Sequence, residues 1–197
     1  MKEMWDQRYS SPEYIYGREP NNRYRMLIDS LPAGRILLPG EGEGRNAVYA
    51  ARRGWEVTAL DQSAEGRCKA LALAEEAGVV IRYEVGDLLT MPLPSGTFDL
   101  ISLIFVHFPP EARLEVHKRL SNLLSPRGVF HLLAFRPEQL ALGTGGPKNL
   151  DLLYSEKELR QDFAELGQVN LSLLDDHFDE GSYHRGPYAA IEMIARW

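Results

Sequence analysis

The stretch Arg35–Asp61, RILLPGEGEGRNAVYAARRGWEVTALD, decides the fold. Arg35 to Leu38 reads as a buried strand that runs directly into glycines at positions 40, 42 and 44. From Arg45 to Arg53 the apolar spacing becomes helical, Gly54 supplies a stop, and Trp55 to Leu60 reads as a second strand. A strand that ends in close-set glycines and opens a helix presents bare backbone N–H groups at a positive helix terminus. Such a turn receives a nucleotide or a carboxylate-bearing analogue. Asp61 ends the second strand about 20 residues beyond Gly40, where an acidic side chain accepts hydrogen bonds from both ribose hydroxyls.

The pattern continues outward as strands alternating with helices, the order of a parallel sheet with crossover helices. Ser63 is placed to cap a helix through about Ala77, stopped by Gly78. Val79–Val85 reads as a third strand, and Phe98–Val106 as a nearly unbroken apolar strand buried on both faces. Pro110 at one end, with Pro126 and Gly128 at the other, bracket a helix, and Val129–Phe135 is the fifth strand. Pro137–Tyr154, with glycines at 143, 145 and 146, reads as a long functional loop. Ser155 and Glu158 have capping-box spacing for a helix to Leu166. Val169–Leu174 and Tyr188–Ala195 are the last strand candidates, antiparallel because no helix separates them. With no repeat, low-complexity tract or linker, residues 1–197 read as a single domain.

The chain has 197 residues, 44% of them hydrophobic, enough for one substantial core. Acidic side chains outnumber basic ones 28 to 22, a net charge of -6, which opposes non-specific binding to phosphate backbones. Nucleic acid is therefore not an expected partner. One cysteine allows neither an intrachain disulfide nor a thiolate zinc cage, and suits a reducing compartment. The opening Met-Lys-Glu-Met-Trp-Asp-Gln-Arg is too polar for a secretory signal and no apolar run nears the ~20 residues of a membrane span. A soluble cytoplasmic protein, monomer or homodimer, without membrane partners is the expectation. Cys68 falls in helical spacing and reads as a packed small hydrophobe. His117 reads as helix surface, His131 as strand and His177 as turn; their spacing suits no metal motif.

A nicotinamide enzyme would place a third glycine where Arg45 stands, so the turn favours a nucleoside over a dinucleotide. Residues Arg35–Asp61 resemble motif I and the acidic loop of class I S-adenosylmethionine-dependent methyltransferases, particularly the tellurite-resistance (TehB-like) branch. The similarity extends to the opening MWDQRYSSPEYIYGREPN, the SPRGVF turn, TGGPKNLDLLYS and the closing EGSYHRGPYAAIEMI. It implies an α/β, Rossmann-like three-layer sandwich with a seven-stranded mixed sheet in the order 3-2-1-4-5-7-6, its last strand antiparallel. It also implies S-adenosyl-L-methionine as cofactor and S-adenosyl-L-homocysteine as product.

Carried over by position, the resemblance implies that Gly40, Glu41 and Gly42 line the methionine end, that Asp61 and Gln62 hold the ribose, and that Asp87 and Leu88 frame the adenine. Gly44, Asn46 and Phe105 complete the candidate cofactor set. Leu38 stands where many relatives carry an acid, and Glu41 where a cysteine or small residue is common, so Glu41 is the candidate for the displaced carboxylate.

A sulfonium cofactor already carries a strong leaving group, so alignment and exclusion of water are the main demands and a soft acceptor needs no general base. The acceptor is expected to be a small molecule, either a thiol or a selenium or tellurium oxyanion. Candidates to orient it are His107, at the carboxyl edge of the fourth strand, and the neighbours His184 and Arg185 in the last loop. Arg8, Tyr16 and Arg45 join His184 and Arg185 as candidate substrate ligands. Residues 1–20, with Trp5, Tyr9, Tyr14, Tyr16 and a Gly17 hinge, form a candidate lid; the same rings are equally suited to packing on outer helices. A catalytically silent cofactor-binding sensor and an NAD(P)-dependent reductase remain as alternatives.

Overall fold

The computed structural model describes residues 2–197. The chain divides into two compact units. The first comprises the residues up to Pro92 together with Glu180–Ser182, and the second Leu93–Asp179 with Tyr183–Trp197. Seven strands form a mixed sheet in the order β3-β2-β1-β4-β5-β7-β6, as the sequence resemblance implied.

In the first unit, β1 (Arg35–Pro39), β2 (Glu56–Asp61) and β3 (Arg82–Val85) pair in parallel, with Leu37 opposite Thr58 and Asp61 opposite Val85. Ile36, Leu37 and Leu38 are essentially inaccessible, as expected of a parallel strand covered on both faces. The crossovers are α3 (Arg45–Arg52) and α4 (Ala64–Glu76). Ser63 caps α4 by accepting the Gly66 N–H at 3.0 Å, as its position predicted. At the other end Gly78 is left-handed and the Val79 N–H reaches back to Ala74 O, a Schellman closure. That closure consumes residues the apolar pattern assigned to a strand, so β3 starts at Arg82 rather than Val79.

Two helices precede the sheet where the sequence suggested only a covering segment: α1 (Lys2–Tyr9) and α2 (Asn22–Ser30). Asn21 caps α2, its side chain accepting the Arg23 and Tyr24 N–H groups. Tyr24, Leu27 and Ile28 form its buried face.

In the second unit, β4 (Phe98–Ile104) runs parallel to β5 (Leu124–Phe135), with α5 (Pro110–Ser121) between them. β5 begins at Leu124, before the expected Val129. Its register against β4 shifts between Phe98 and Leu100, and the shift accommodates Pro126 and Gly128 within the strand. The loop 137–154 contains α6 (Gln139–Leu142) and a 3-10 turn, Leu150–Leu152. The capping box of Ser155 and Glu158 opens α7 (Glu156–Asp162).

The closing hairpin is longer than its apolar residues indicated: β6 (Gln168–Glu180) and β7 (His184–Arg196), with β7 antiparallel to β5. β6 is an edge strand. Backbone pairing needs no apolar side chains there, and the exposed Asp175, Asp176 and Asp179 guard the edge against further pairing.

His117, expected on a helix surface, is fully buried. Its Nδ1 faces Asp162 Oδ2 at 2.9 Å, and Arg113 Nε donates to the same oxygen at 2.7 Å. The carboxylate supplies the compensation that a buried imidazole and guanidinium require. Cys68, expected to be packed, is exposed. No helix among the described residues is long and apolar enough to cross a membrane, and these residues include no cluster suited to a metal ion.

Candidate active site

The glycine turn is built by backbone bonds before any ligand is considered. The Gly40 and Glu41 N–H groups both donate to Leu60 O, at 2.6 and 3.1 Å, joining the end of β1 to the end of β2. Gly40, Gly42 and Gly44 have positive φ, which L side chains rarely adopt. Asp61 Oδ2 accepts the Gly42 N–H at 3.0 Å and Oδ1 accepts the Ser63 N–H at 2.9 Å. Burial pushes the Asp61 carboxyl up to about 6, against those two backbone donors, which favour its charged form. Its unused lone pairs can accept the vicinal hydroxyls of a ribose, so its chemistry fits a nucleoside.

The charged residues between the glycines turn inward. Glu41 Oε1 accepts the N–H groups of Asn46 and Ala47, at 2.9 and 2.8 Å, and so caps α3 from within the turn. Burial pushes Glu41 up to about 8. Glu43 Oε2 accepts the Ile15 N–H at 2.8 Å, and Lys69 Nζ donates to its Oε1. Arg45 Nη1 donates to Tyr16 O at 2.8 Å, and its Nη2 pairs with Glu180 at 2.8 Å. Tyr16 is therefore gripped through its N–H by Glu43, at 3.4 Å, and through its carbonyl by Arg45.

The N-terminal segment docks on the same turn. Asp6 Oδ1 accepts the Ser63 hydroxyl at 2.6 Å and the Ala64 N–H at 3.0 Å, placing a carboxylate at the start of α4, where the helix dipole favours it. Tyr9 is buried against the glycines: a Cβ on Gly42 would meet its hydroxyl at 2.6 Å, and one on Gly66 would meet its ring at 3.1 Å. Trp5 stacks on Tyr9, with ring centroids 5.4 Å apart. Arg8 lies over the Trp5 ring and donates to the Tyr16 hydroxyl at 3.1 Å. Tyr14 instead packs on α4, donating to Lys69 O.

In the second unit, aromatic rings gather beyond the end of β4. Phe105 is the one non-glycine residue with positive φ, 55°, among those described, and strain of this kind concentrates at functional sites. Its N–H is held by Leu133 O at 2.7 Å, and its ring stacks on Phe135 at 4.4 Å and meets the edges of Phe178 and His184. His184 lies flat on Phe178 at 4.3 Å, and Phe178 stacks on Tyr188 at 3.9 Å. Gly146 lines the same cluster; a Cβ there would meet the Phe135 ring at 2.7 Å.

The structure joins Gly40, Glu41, Gly42, Gly44, Asn46 and Asp61 in one bonded turn, with Gln62 half-buried beside Asp61. The Asn46 side chain faces the N-terminal segment, accepting the Asn21 N–H at 3.0 Å. Asp87 is exposed and folds onto the Leu89 N–H, whereas Leu88 is buried.

Three substrate-side expectations change. Arg45 is buried and engaged by Tyr16, Glu19 and Glu180, so it ties the fold rather than offering its guanidinium to an anion. His184 and Arg185 open β7 instead of lying in a loop. Consecutive strand residues point to opposite faces, so His184 is buried, Arg185 is exposed, and the two do not converge. His107 has both ring nitrogens engaged. Nδ1 donates to Leu152 O at 2.6 Å, Nε2 accepts the Phe135 N–H at 3.3 Å, and burial lowers its pKa to about 4. Glu43, Asp6 and Phe178 escaped the sequence reading; acids alternating with glycines in GEGEG were the available signal for Glu43.

A methyltransferase domain model matches residues 36–128. The probable thiol methyltransferase 2 of Arabidopsis thaliana is 30% identical over 173 residues, covering 85% of this chain and 71% of the plant protein. Similar folds include a protein structure concerned with conversion of a disulfide bond into a thioacetal group during echinomycin biosynthesis, with TM-score 0.80, 22% identity, and coverage of 100% of this chain and 91% of that one. TehB from Haemophilus influenzae gives TM-score 0.70 and 16% identity, covering 99% of this chain and 66% of that one. An S-adenosylmethionine-dependent methyltransferase from Clostridium acetobutylicum gives 0.65 and 13%, covering 98% and 96%. With its strand order, its glycine turn, the matching methyltransferase domain model and the plant thiol methyltransferase relative, the chain belongs to the class I S-adenosylmethionine-dependent methyltransferases.

Proposed function

We propose that this enzyme methylates a small thiol. The observation that carries the reading is the aromatic cluster at the end of β4, where the partly exposed Phe105 rests on the buried rings of Phe135, Phe178, His184 and Tyr188; polarizable rings of this kind suit a soft, weakly hydrated nucleophile. The candidate arginines for an oxyanion are engaged or directed elsewhere: Arg45 is held by internal partners, Arg8 lies over Trp5 and donates to the Tyr16 hydroxyl, and Arg185 is on the opposite strand face from His184. The likeness to a thiol methyltransferase supports the same choice. The resemblance to the tellurite-resistance branch makes selenite and tellurite the competing acceptors.

S-adenosylmethionine supplies a methyl group activated on sulfonium sulfur. In this reading Asp61, assisted by Gln62, accepts the ribose hydroxyls, the N–H groups of Gly40 to Gly42 face the methionine end, and Leu88 flanks the adenine with Asp87. Glu41 fixes the first turn of α3 through the Asn46 and Ala47 N–H groups rather than replacing the carboxylate absent at Leu38. Trp5, Tyr9 and Tyr16, with Arg8, form the cover that excludes water. His184 and Phe105 orient the acceptor, and His107 holds the backbone around them. Alignment of this kind lowers barriers by ~7–11 kcal/mol in favourable cases.

The test is methyl transfer from labelled S-adenosylmethionine to a panel of aliphatic and aromatic thiols, selenite and tellurite. Transfer to a thiol at a rate well above that to either oxyanion is expected. Turnover confined to the oxyanions would overturn the acceptor, and cofactor binding with no transfer to any of them would favour a sensor.

A further inference from the structure

The N-terminal strap and the tip of the closing hairpin are joined by a buried network belonging to neither strand pairing nor helix packing. Glu180 accepts from Arg45 Nη2 at 2.8 Å through Oε2 and from Asn21 Nδ2 at 3.0 Å through Oε1. The Arg45 and Glu180 side chains are 8% and 14% exposed. The Ser182 N–H donates to Ile15 O at 2.9 Å, and Gly181, at φ +64°, sits where a Cβ would clash with Ile15 O and meet Gly17 N at 2.6 Å. Arg45 also holds Tyr16 O, and the Asn21 N–H is held by Asn46 Oδ1 at 3.0 Å.

Each contact joins residues 15–21 to residues 180–182, or joins one of these segments to the start of α3. A buried charge pair that loses one partner leaves the other uncompensated, so such a network holds or fails as a unit. Phe178 and His184 flank the tip in sequence, whereas Tyr16 and Tyr9 belong to the segment docked on the glycine turn. The tip is therefore a covalent continuation of the strands that carry the aromatic cluster.

We infer that Glu180 and Arg45 are positioning residues that make the strap and the hairpin tip one cooperative element, so that filling the nucleoside turn tightens the hairpin carrying His184. The part concerning the nucleoside turn rests on the methyltransferase reading; the cooperativity of strap and tip does not.

Hydrogen exchange on the full chain tests it. Without ligand, Glu180→Gln is expected to raise exchange about tenfold in peptides covering both 14–21 and 180–184, while peptides of β1 and β2 are unchanged. Asn21→Asp keeps the cap of α2, since Asp and Asn cap equally well, but sets a carboxylate against Glu180. It approaches the network from the strap side and should loosen the same two segments together. Loosening of only the mutated segment in either variant, or of the whole chain uniformly in both, overturns the inference. Adenosylhomocysteine should protect residues 180–182 of the wild type and lose that effect in Glu180→Gln. Protection of Gly40–Asp61 without any at the tip overturns the coupling and leaves the methyltransferase reading standing. Absence of protection at Gly40–Asp61 overturns that reading, while the ligand-free exchange still decides the cooperativity.

Discussion

The carboxylate of Asp61 accepts the backbone N–H of Gly42 at 3.0 Å, so the residue proposed to hold the ribose also fixes the turn proposed to face the methionine end. In that proposal one side chain serves both halves of the cofactor site, and its charge state sets both.

Burial raises Asp61 from its ordinary 3.8 to about 6. Only the ionised carboxylate accepts from both ribose hydroxyls, so adenosylhomocysteine should bind more tightly as pH rises through about 6 and more weakly below it. Stability of the ligand-free protein runs the other way: the raised value contributes stability that is present below 3.8 and lost as pH rises through about 6. Asp61→Asn should weaken binding by about 10- to 100-fold, the range of one or two charge-assisted hydrogen bonds, and flatten its pH dependence. Titration calorimetry from pH 5 to 8 measures both, and pH-independent affinity in the wild type would remove Asp61 from the ribose.

Glu41 is raised from 4.5 to about 8 by burial, so its contribution to stability is present below 4.5 and lost as pH rises through about 8. Glu41→Gln keeps an oxygen for the Asn46 and Ala47 N–H groups and removes the ionisation. The variant should therefore gain on the wild type in thermal midpoint as pH increases from 5 to 9. A constant difference between them across that range would contradict the burial argument.

Gly42→Ala should destabilise the protein by about 1–3 kcal/mol, since a left-handed position gains a Cβ that meets the Tyr9 hydroxyl at 2.6 Å. Tyr9→Phe in the same chain removes that oxygen and should recover part of the loss, leaving the contact to the ring carbon at 3.1 Å. Denaturant unfolding of the three variants measures the coupling; strictly additive effects would mean that the ring does not rest on the glycine.

His107→Gln should leave the pH profile of methyl transfer unshifted while lowering stability, because both imidazole nitrogens serve backbone groups. With its value lowered from 6.5 to about 4, His107 contributes stability that is lost as pH falls from 6.5 toward 4. Initial rates from pH 4 to 9 decide the matter: loss in the variant of an acidic limb, the fall in rate as the imidazole is protonated, would restore His107 as a general base.

The legible part of the fold was local. Glycines 40, 42 and 44 report backbone that only glycine adopts easily, Ser63 and Ser155 announce helix starts through their own hydroxyls, and the unbroken apolar run from Phe98 announces a strand covered on both faces. Where a rule of local pattern met another local rule it failed, as when the Schellman closure at Gly78 claimed Val79. The hairpin was underestimated because an edge strand can be polar along most of its length.

By itself the sequence determined the alternating strands and helices, the glycine turn and the carboxylate at the end of β2, because each is written within a few residues and repeats with the period of its element. Tertiary structure alone decided what the charges do. Glu43 finds its partner 28 residues away at Ile15, Arg45 finds Glu180 at a separation of 135, and His184 parts from Arg185 because a strand, unlike a loop, sends neighbours to opposite faces. A side chain's type limits the bonds it can make, but only packing brings the partner within the roughly 3 Å at which such a bond exists.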